Sequence, residues 1–218
     1  MNADHSSLMS WKTADENRYE QSISLKIPGY SHMHVLIAGA GGGKEIVLLA
    51  DGHPGWTFTG VDPSEPMLQL AKRRIAEAGA GPRVKLEGMM VEDLPLDELY
   101  DGATSMLMLH FLQGMEAKRK FMTSLAARLR SRAPLVLAAV NADLYSPAYK
   151  VMMNAWRDHM LSAGITREEW DRFAASLGRE SDPISSEQTV ALLSECGFTH
   201  ITRYFGAFWV EGYYAIRI

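Results

Sequence analysis

Cysteine is nearly missing from this sequence, and the lone Cys196 has no second thiol with which to close an intramolecular disulfide. The opening residues, Met-Asn-Ala-Asp-His, contain neither the basic nor the apolar stretch of an export signal. Both features point to a cytoplasmic protein. Long apolar runs are missing too: segments such as 134–140 fall far short of the ~20 residues that a spanning helix needs, so no membrane partner is expected. Nor is there an excess of positive charge. Lysine and arginine number 22 against 26 aspartates and glutamates, a formal charge of −4, which disfavours nucleic acid because phosphates are held by a positive field. No repeat, low-complexity tract or Pro/Gly/Ser-rich linker interrupts the 218 residues. One domain over 1–218 is the expectation, and 47 % hydrophobic residues suffice for a well-filled core. None of these features decides between a monomer and a homodimer.

What the sequence does contain is alternation. Short apolar runs at 34–38, 57–61, 84–87, 103–108 and 135–140 read as buried strands, and amphipathic stretches at 44–50, 65–78 and 116–130 read as helices between them. Such alternation implies an α/β fold with a Rossmann-like, doubly wound, mostly parallel sheet. After Val140 the rhythm breaks. Residues 141–183 hold two helical patterns, 147–162 and 167–177, and no strand; they are expected to form a helical cap inserted after strand five. A helix over 186–196 then ends at Gly197, and strands at 198–205 and 207–216 turn around Gly206. The expected sheet has seven strands and closes with a C-terminal antiparallel hairpin.

Between the first strand and its helix stands Ala38-Gly39-Ala40-Gly41-Gly42-Gly43-Lys44-Glu45. Glycines at 39, 41 and 43 permit positive φ and let a ligand lie directly on the main chain, at the carboxyl end of a strand in an open sheet. Asp62 ends the second strand, where a carboxylate is placed to accept both ribose hydroxyl protons of an adenosine. Spacing separates the candidate ligands. A phosphate-binding loop needs Ser or Thr after Gly-Lys, and here Glu45 follows Lys44. A dinucleotide fingerprint counted from Gly39 needs a third glycine where Lys44 stands. Gly-x-Gly-x-Gly with a downstream acid instead suits an adenosine that carries no pyrophosphate.

These residues resemble the class I S-adenosylmethionine-dependent methyltransferases over residues 30–218. Gly39, Gly41 and Gly43 are similar to that family's first motif, Asp62 to its second, and Glu65-Pro66-Met67-Leu68 to the start of the helix that follows. Glu92-Asp93-Leu94-Pro95 and the run from Tyr100 through Leu112 are similar to its loop after strand three and its fourth strand. The resemblance implies a single methyltransferase domain, S-adenosylmethionine as cofactor, and cofactor contacts at Tyr30, Gly39, Ala40, Gly41, Gly43, Asp62, Pro63, Met67, Met90, Val91 and Met106. It further implies methyl transfer to a small-molecule acceptor. Ile27-Pro28-Gly29-Tyr30-Ser31 is also similar to a segment of the carboxy-S-adenosylmethionine synthases of tRNA wobble-uridine modification, but Leu192 stands where those enzymes carry their carboxylate-binding arginine. Two positions depart from the family's usual acids: Ile37, two residues before the first glycine, and Met90, after strand three. Each lost polar contact is worth about 1–3 kcal/mol where a buried donor is left unpaired. That loss motivates an alternative, a methyltransferase-like binding or scaffolding domain without catalysis.

Methyl transfer requires alignment of the nucleophile and exclusion of water more than it requires a base. His110, just after the fourth strand, is the candidate for a base or a substrate contact. Asn141 and Asp143 follow the fifth strand, and Tyr145, Tyr149 and Trp156 lie on or before the first cap helix; Asn141, Tyr145, Tyr149 and Trp156 are the candidate substrate contacts, although Met and aromatic residues at helical spacing equally build cores. His32-x-His34 lacks the neighbouring ligands of a metal site, and no metal is expected. No Asn-Pro-Pro-Tyr motif follows strand four, which disfavours nucleobase or glutamine amide acceptors. Lys118, Arg119, Lys120, Arg128, Arg130 and Arg132 read as a solvated basic face.

Overall fold

The computed structural model describes residues 32–218. Tyr30 and the preceding segment lie outside the described residues. Seven strands form one sheet in the order β3-β2-β1-β4-β5-β7-β6. They are β1 (His34–Ala38), β2 (Thr57–Val61), β3 (Val84–Glu87), β4 (Gly102–Met106), β5 (Pro134–Val140), β6 (Phe198–Ala207) and β7 (Val210–Arg217). The first five run parallel and β7 runs antiparallel to both β5 and β6. The order reverses between β1 and β4, which opens a crevice at their carboxyl ends.

Among the described residues there are six α-helices: α1 (Lys44–Gly52), α2 (Glu65–Glu77), α3 (Gly114–Ala127), α4 (Tyr149–Ser162), α5 (Arg167–Ser176) and α6 (Ser186–Glu195). On one face Ile46 and Ala50 of α1 and Ala71 and Ile75 of α2 pack on Val35, Ile37 and Phe58. On the other, Phe121, Met122 and Leu125 of α3 and Leu192 and Leu193 of α6 pack on Leu36, Ala103, Leu135 and Leu137. The alternate residues of each strand therefore serve different cores, as the two-residue period of a strand requires. Capping boxes start α5 at Thr166 with Glu169 and α6 at Ser185 with Gln188, so polar spacing sets both starts.

Three expectations need correction. The fourth strand stops at Met106 rather than residue 108, because Leu107 takes a positive φ of 58° and a short helical turn, Leu109–Phe111, follows. The hairpin turns at Phe208 and Trp209, not at Gly206, which pairs with Glu211 inside the ladder; Phe208 supplies the positive φ, 53°. The basic residues do not share one solvated face. Lys118 is fully buried and its Nζ lies 2.9 Å from Asp182 Oδ2, while buried Arg128 donates to the carbonyls of Glu92 and Leu94.

Helices α4 and α5 build a third apolar cluster, in which Met153, Trp156 and Trp170 close on Val140 with Phe208 and Trp209 packed beside them. Cys196 is buried. Among the described residues no helix is long and apolar enough to cross a membrane.

Candidate active site

The glycine loop holds its shape through bonds to the end of β2. The N–H groups of Gly39 and Ala40 both donate to the Val61 carbonyl, at 2.9 and 3.0 Å. Gly41 N–H donates to Asp62 Oδ2 at 2.8 Å and Ser64 N–H to Asp62 Oδ1 at 2.9 Å. Two glycines are required by space as well as by dihedral. Gly39 has φ 84°, and a Cβ there would come within 2.8 Å of Met108 Cγ. Gly43 has φ 76°, and a Cβ would sit 2.9 Å from the Ala71 backbone, which ties the loop to α2.

Beside the loop lies a crevice of about 210 Å³, lined by Gly39, Val61, Asp62, Pro63, Met89, Met90, Val91, Met108, Phe111 and Leu112. Of the expected cofactor contacts, Gly39, Asp62, Pro63, Met90 and Val91 line it. Ala40, Gly41 and Gly43 stand on the loop, and Gly41 fixes the carboxylate rather than the wall. Met67 and Met106 lie outside the lining and are 47 % and 37 % exposed. Sequence reasoning passed over Val61, Met89, Met108, Phe111 and Leu112; the apolar run that starts in β4 carried a signal for Met108 and Leu112.

The donor set fits an adenosine. Each Asp62 oxygen accepts one backbone N–H, and a carboxylate oxygen has a second lone pair for a ribose hydroxyl. The methionine-rich wall suits a flat base and a thioether. Ile37 is completely buried in the α1 and α2 core, so no carboxylate reaches the loop from that position. Glu45, in the first turn of α1, is a partly buried acid that sequence reasoning did not select; burial pushes its pKa up, with Thr104 alongside acting in the opposite direction.

His110 is 6 % exposed. Its Nδ1 accepts the Val140 N–H at 3.2 Å, so the neutral ring carries its proton on Nε2. Burial, helped by the charge on Lys118, pushes its pKa down to about 4. With its Nδ1 lone pair engaged and its pKa lowered, the His110 ring is neutral at neutral pH and has its Nε2 proton left to donate. Its carbonyl accepts the Asp182 N–H at 2.7 Å, and Asp182 also holds Gly114 N–H and Lys118 Nζ. The chain at Asp182, between α5 and α6, is thereby fastened to the loop that carries Phe111 and Leu112.

The candidate substrate contacts scatter. Trp156 is buried between Phe173 and Phe208, stacked on the latter at 5.8 Å, and Tyr149 stacks on Trp209 at 5.9 Å. Neither lines the crevice; both pack α4 onto the hairpin. Tyr145 is 96 % exposed, with its N–H held by Asp143 Oδ1. Asn141 is buried and donates through Nδ2 to Glu211 Oε2 at 3.2 Å, and that oxygen also accepts from Ser186 and Tyr213. Because a carboxylate only accepts, the Asn141 amide orientation is fixed, and its Oδ1 has no partner. Both ring nitrogens of His34 are engaged, by Glu98 and Thr59.

Comparison with known proteins agrees with this geometry. Residues 35–132 match a family model described as a methyltransferase domain. The chain is 27 % identical over 145 residues to the O-methyltransferase resE of Aspergillus sclerotiorum, covering 66 % of this chain and 53 % of that protein; it thus spans about half the length of the curated relative it matches. Among solved structures, the S-adenosylmethionine-dependent methyltransferase SibL is similar at 19 % identity and TM-score 0.64, over 93 % of this chain and 56 % of SibL. Magnesium protoporphyrin IX methyltransferase from Synechocystis PCC 6803, solved with bound SAH, is similar at 18 % identity and TM-score 0.62, over 92 % of this chain and 81 % of that one. These two likenesses bear on the fold. With the match over 35–132 and the loop and carboxylate in their places, the chain is similar to the S-adenosylmethionine-dependent methyltransferases, and the crevice beside Asp62 fits that cofactor.

Proposed function

We propose that this protein transfers the methyl group of S-adenosylmethionine to a hydroxyl oxygen of a small, largely apolar acceptor. The observation that carries the reading is the Asp62 carboxylate, fixed by Gly41 and Ser64 at the edge of an apolar crevice floored by Gly39. In this reading Asp62 holds the ribose hydroxyls, Gly39 and Ala40 present bare main chain to the cofactor, and Met89, Met90 and Val91 flank the base. Bound there, S-adenosylmethionine would supply an activated methyl carbon to the acceptor oxygen and would leave as S-adenosylhomocysteine, with the acceptor's proton released to solvent water.

The chain's own contribution is alignment and dryness. Phe111 and Leu112, on the segment fastened by Asp182, screen the acceptor from water. His110, neutral and donating through Nε2, orients the acceptor rather than deprotonating it. An oxygen acceptor is supported by the O-methyltransferase relative, and an apolar one by the methionines, Phe111 and Leu112 of the crevice. Residues 141–183 contribute through Asp182, which fastens the segment that carries Phe111 and Leu112.

A second reading, a binding domain without catalysis, is favoured by Ile37, which removes an acid the family uses at the cofactor's amino end. One experiment separates the two. The protein is incubated with S-adenosylmethionine and a set of small phenols and carboxylic acids, and products are read by mass spectrometry. A methylated product with matching S-adenosylhomocysteine release supports transfer to oxygen. Cofactor binding without turnover of any member supports the binding domain.

A further inference from the structure

Glu45 stands in the first turn of α1, directly after the glycine loop. An acid there ordinarily answers the helix dipole from solvent. Glu45 is instead partly buried and turned toward β4. The Thr104 hydroxyl is close enough to favour the ionised carboxylate, yet is itself buried and outside hydrogen-bonding geometry. The Tyr204 ring, folded across Gly212, feels the same charge: burial first, and Glu45 second, push its pKa up. Thr104 pairs with Ile37 in the ladder, so α1 brings a carboxylate to a level of the sheet where β1 supplies only an apolar side chain. What this carboxylate lacks is a cation. Among the described residues no lysine, arginine or histidine lies within ion-pairing distance of it. A carboxylate drawn out of water without a counter-charge is disfavoured, and an arriving cation relieves it.

The direction of the ligand identifies that cation. The function proposed above sets the base against Met89, Met90 and Val91, which follow β3, and the ribose on Asp62, at the end of β2. In the sheet order β3-β2-β1-β4 the rest of the molecule, its amino-acid arm, then runs over Gly39 and across β1 toward β4. Two strand spacings, roughly 10 Å, separate β2 from β4, and the Asp62 and Glu45 side chains reach in from the two ends. We infer, resting on that reading, that Glu45 receives the α-ammonium group of S-adenosylmethionine, with the free Thr104 hydroxyl as a second acceptor. Glu45 is then a specificity-determining residue: it tells an adenosine that carries an amino acid from one that does not. Asp62 holds the part that both kinds of ligand share.

Calorimetric titration of the full chain with four thioadenosines tests this. The ligands are S-adenosylhomocysteine, its decarboxylated analogue, which keeps the ammonium, its deaminated analogue, which keeps the carboxylate, and methylthioadenosine, which has neither. The unsubstituted protein should hold the decarboxylated analogue about 10-fold or more tighter than the deaminated one. Glu45→Gln, which preserves the shape of the side chain, should weaken S-adenosylhomocysteine and the decarboxylated analogue by about 10- to 100-fold and leave methylthioadenosine unchanged. Equal binding of the decarboxylated and deaminated analogues by the unsubstituted protein overturns the inference without recourse to any variant. So does a loss in Glu45→Gln that is as large for methylthioadenosine as for S-adenosylhomocysteine, which marks a residue that only shapes the loop. In both cases the adenosine still binds and the cofactor reading stands. If none of the four binds the unsubstituted protein, that reading falls and the inference falls with it.

Discussion

Asp62 and Gly41 tie together the ends of the first two strands: Oδ2 of the aspartate accepts the glycine N–H at 2.8 Å, the distance of a charge-assisted bond. The bond makes the loop and the carboxylate a single unit, fixed before any ligand arrives. Pre-formed sites of this kind lose less ordering entropy on binding. Perturbing either partner should therefore act on binding and on loop geometry together.

Gly39→Ala tests the loop itself. The added methyl meets Met108 Cγ at 2.8 Å with φ at 84°, so both strain and bulk oppose it. The variant should lose about 1–3 kcal/mol of stability and most of its cofactor affinity. Adding Met108→Ala removes the collision but not the strained φ, and thermal unfolding should recover only in part. Full recovery would mean that space alone mattered.

His110 gives a signature in pH. Its folded pKa is lowered to about 4 from 6.5, so between those values the unfolded chain binds more protons than the folded one. The resulting stability is fully present above pH 6.5 and is lost as pH falls toward 4. His110→Gln should flatten that slope of stability against pH. Activity above pH 7 should show no titration from this ring, since it is already neutral. A kcat/KM step near pH 6.5 that vanishes in His110→Gln would restore the role of base.

Glu211 is the carboxylate that joins the two ends of the segment between β5 and α6. It accepts from Asn141 and Ser186, which flank residues 142–185, and from Tyr213 and Arg203. Burial alone would raise its pKa, yet these bonds hold it below the ordinary value, and burial together with Glu211 pushes the Tyr213 hydroxyl up to about 12. Glu211→Ala leaves several buried donors unpaired and should cost about 3–5 kcal/mol, measured by urea unfolding. Glu211→Gln retains the shape and should cost less. Equal losses would show that charge, not connectivity, matters there.

The sheet was legible because strands and helices announce themselves by different periods, and because Gly39 and Asp62 sit at the two strand ends where an open sheet binds ligands. The closing antiparallel hairpin was legible because two β-rich runs, 198–205 and 207–216, stand next to each other with only a short turn between them. What escaped was set by contacts distant in sequence. Trp156 reads as either a core or a ligand-wall residue, and only Phe208, far along the chain, decides for the core. Lys118 reads as a surface charge until Asp182 meets it. The turn at Phe208 and Trp209 went unseen because a glycine two residues earlier offered the conventional signal, whereas the ladder uses that glycine and lets Phe208 take the positive φ.

Isothermal titration with S-adenosylhomocysteine, on the intact chain and on Asp62→Asn, tests the central claim most directly. Saturable binding with one site per chain is predicted, weakened about 10- to 100-fold in the variant through loss of a charged hydrogen-bond acceptor, with the circular dichroism unchanged. No binding by the intact chain, or equal binding by both proteins, would contradict the account.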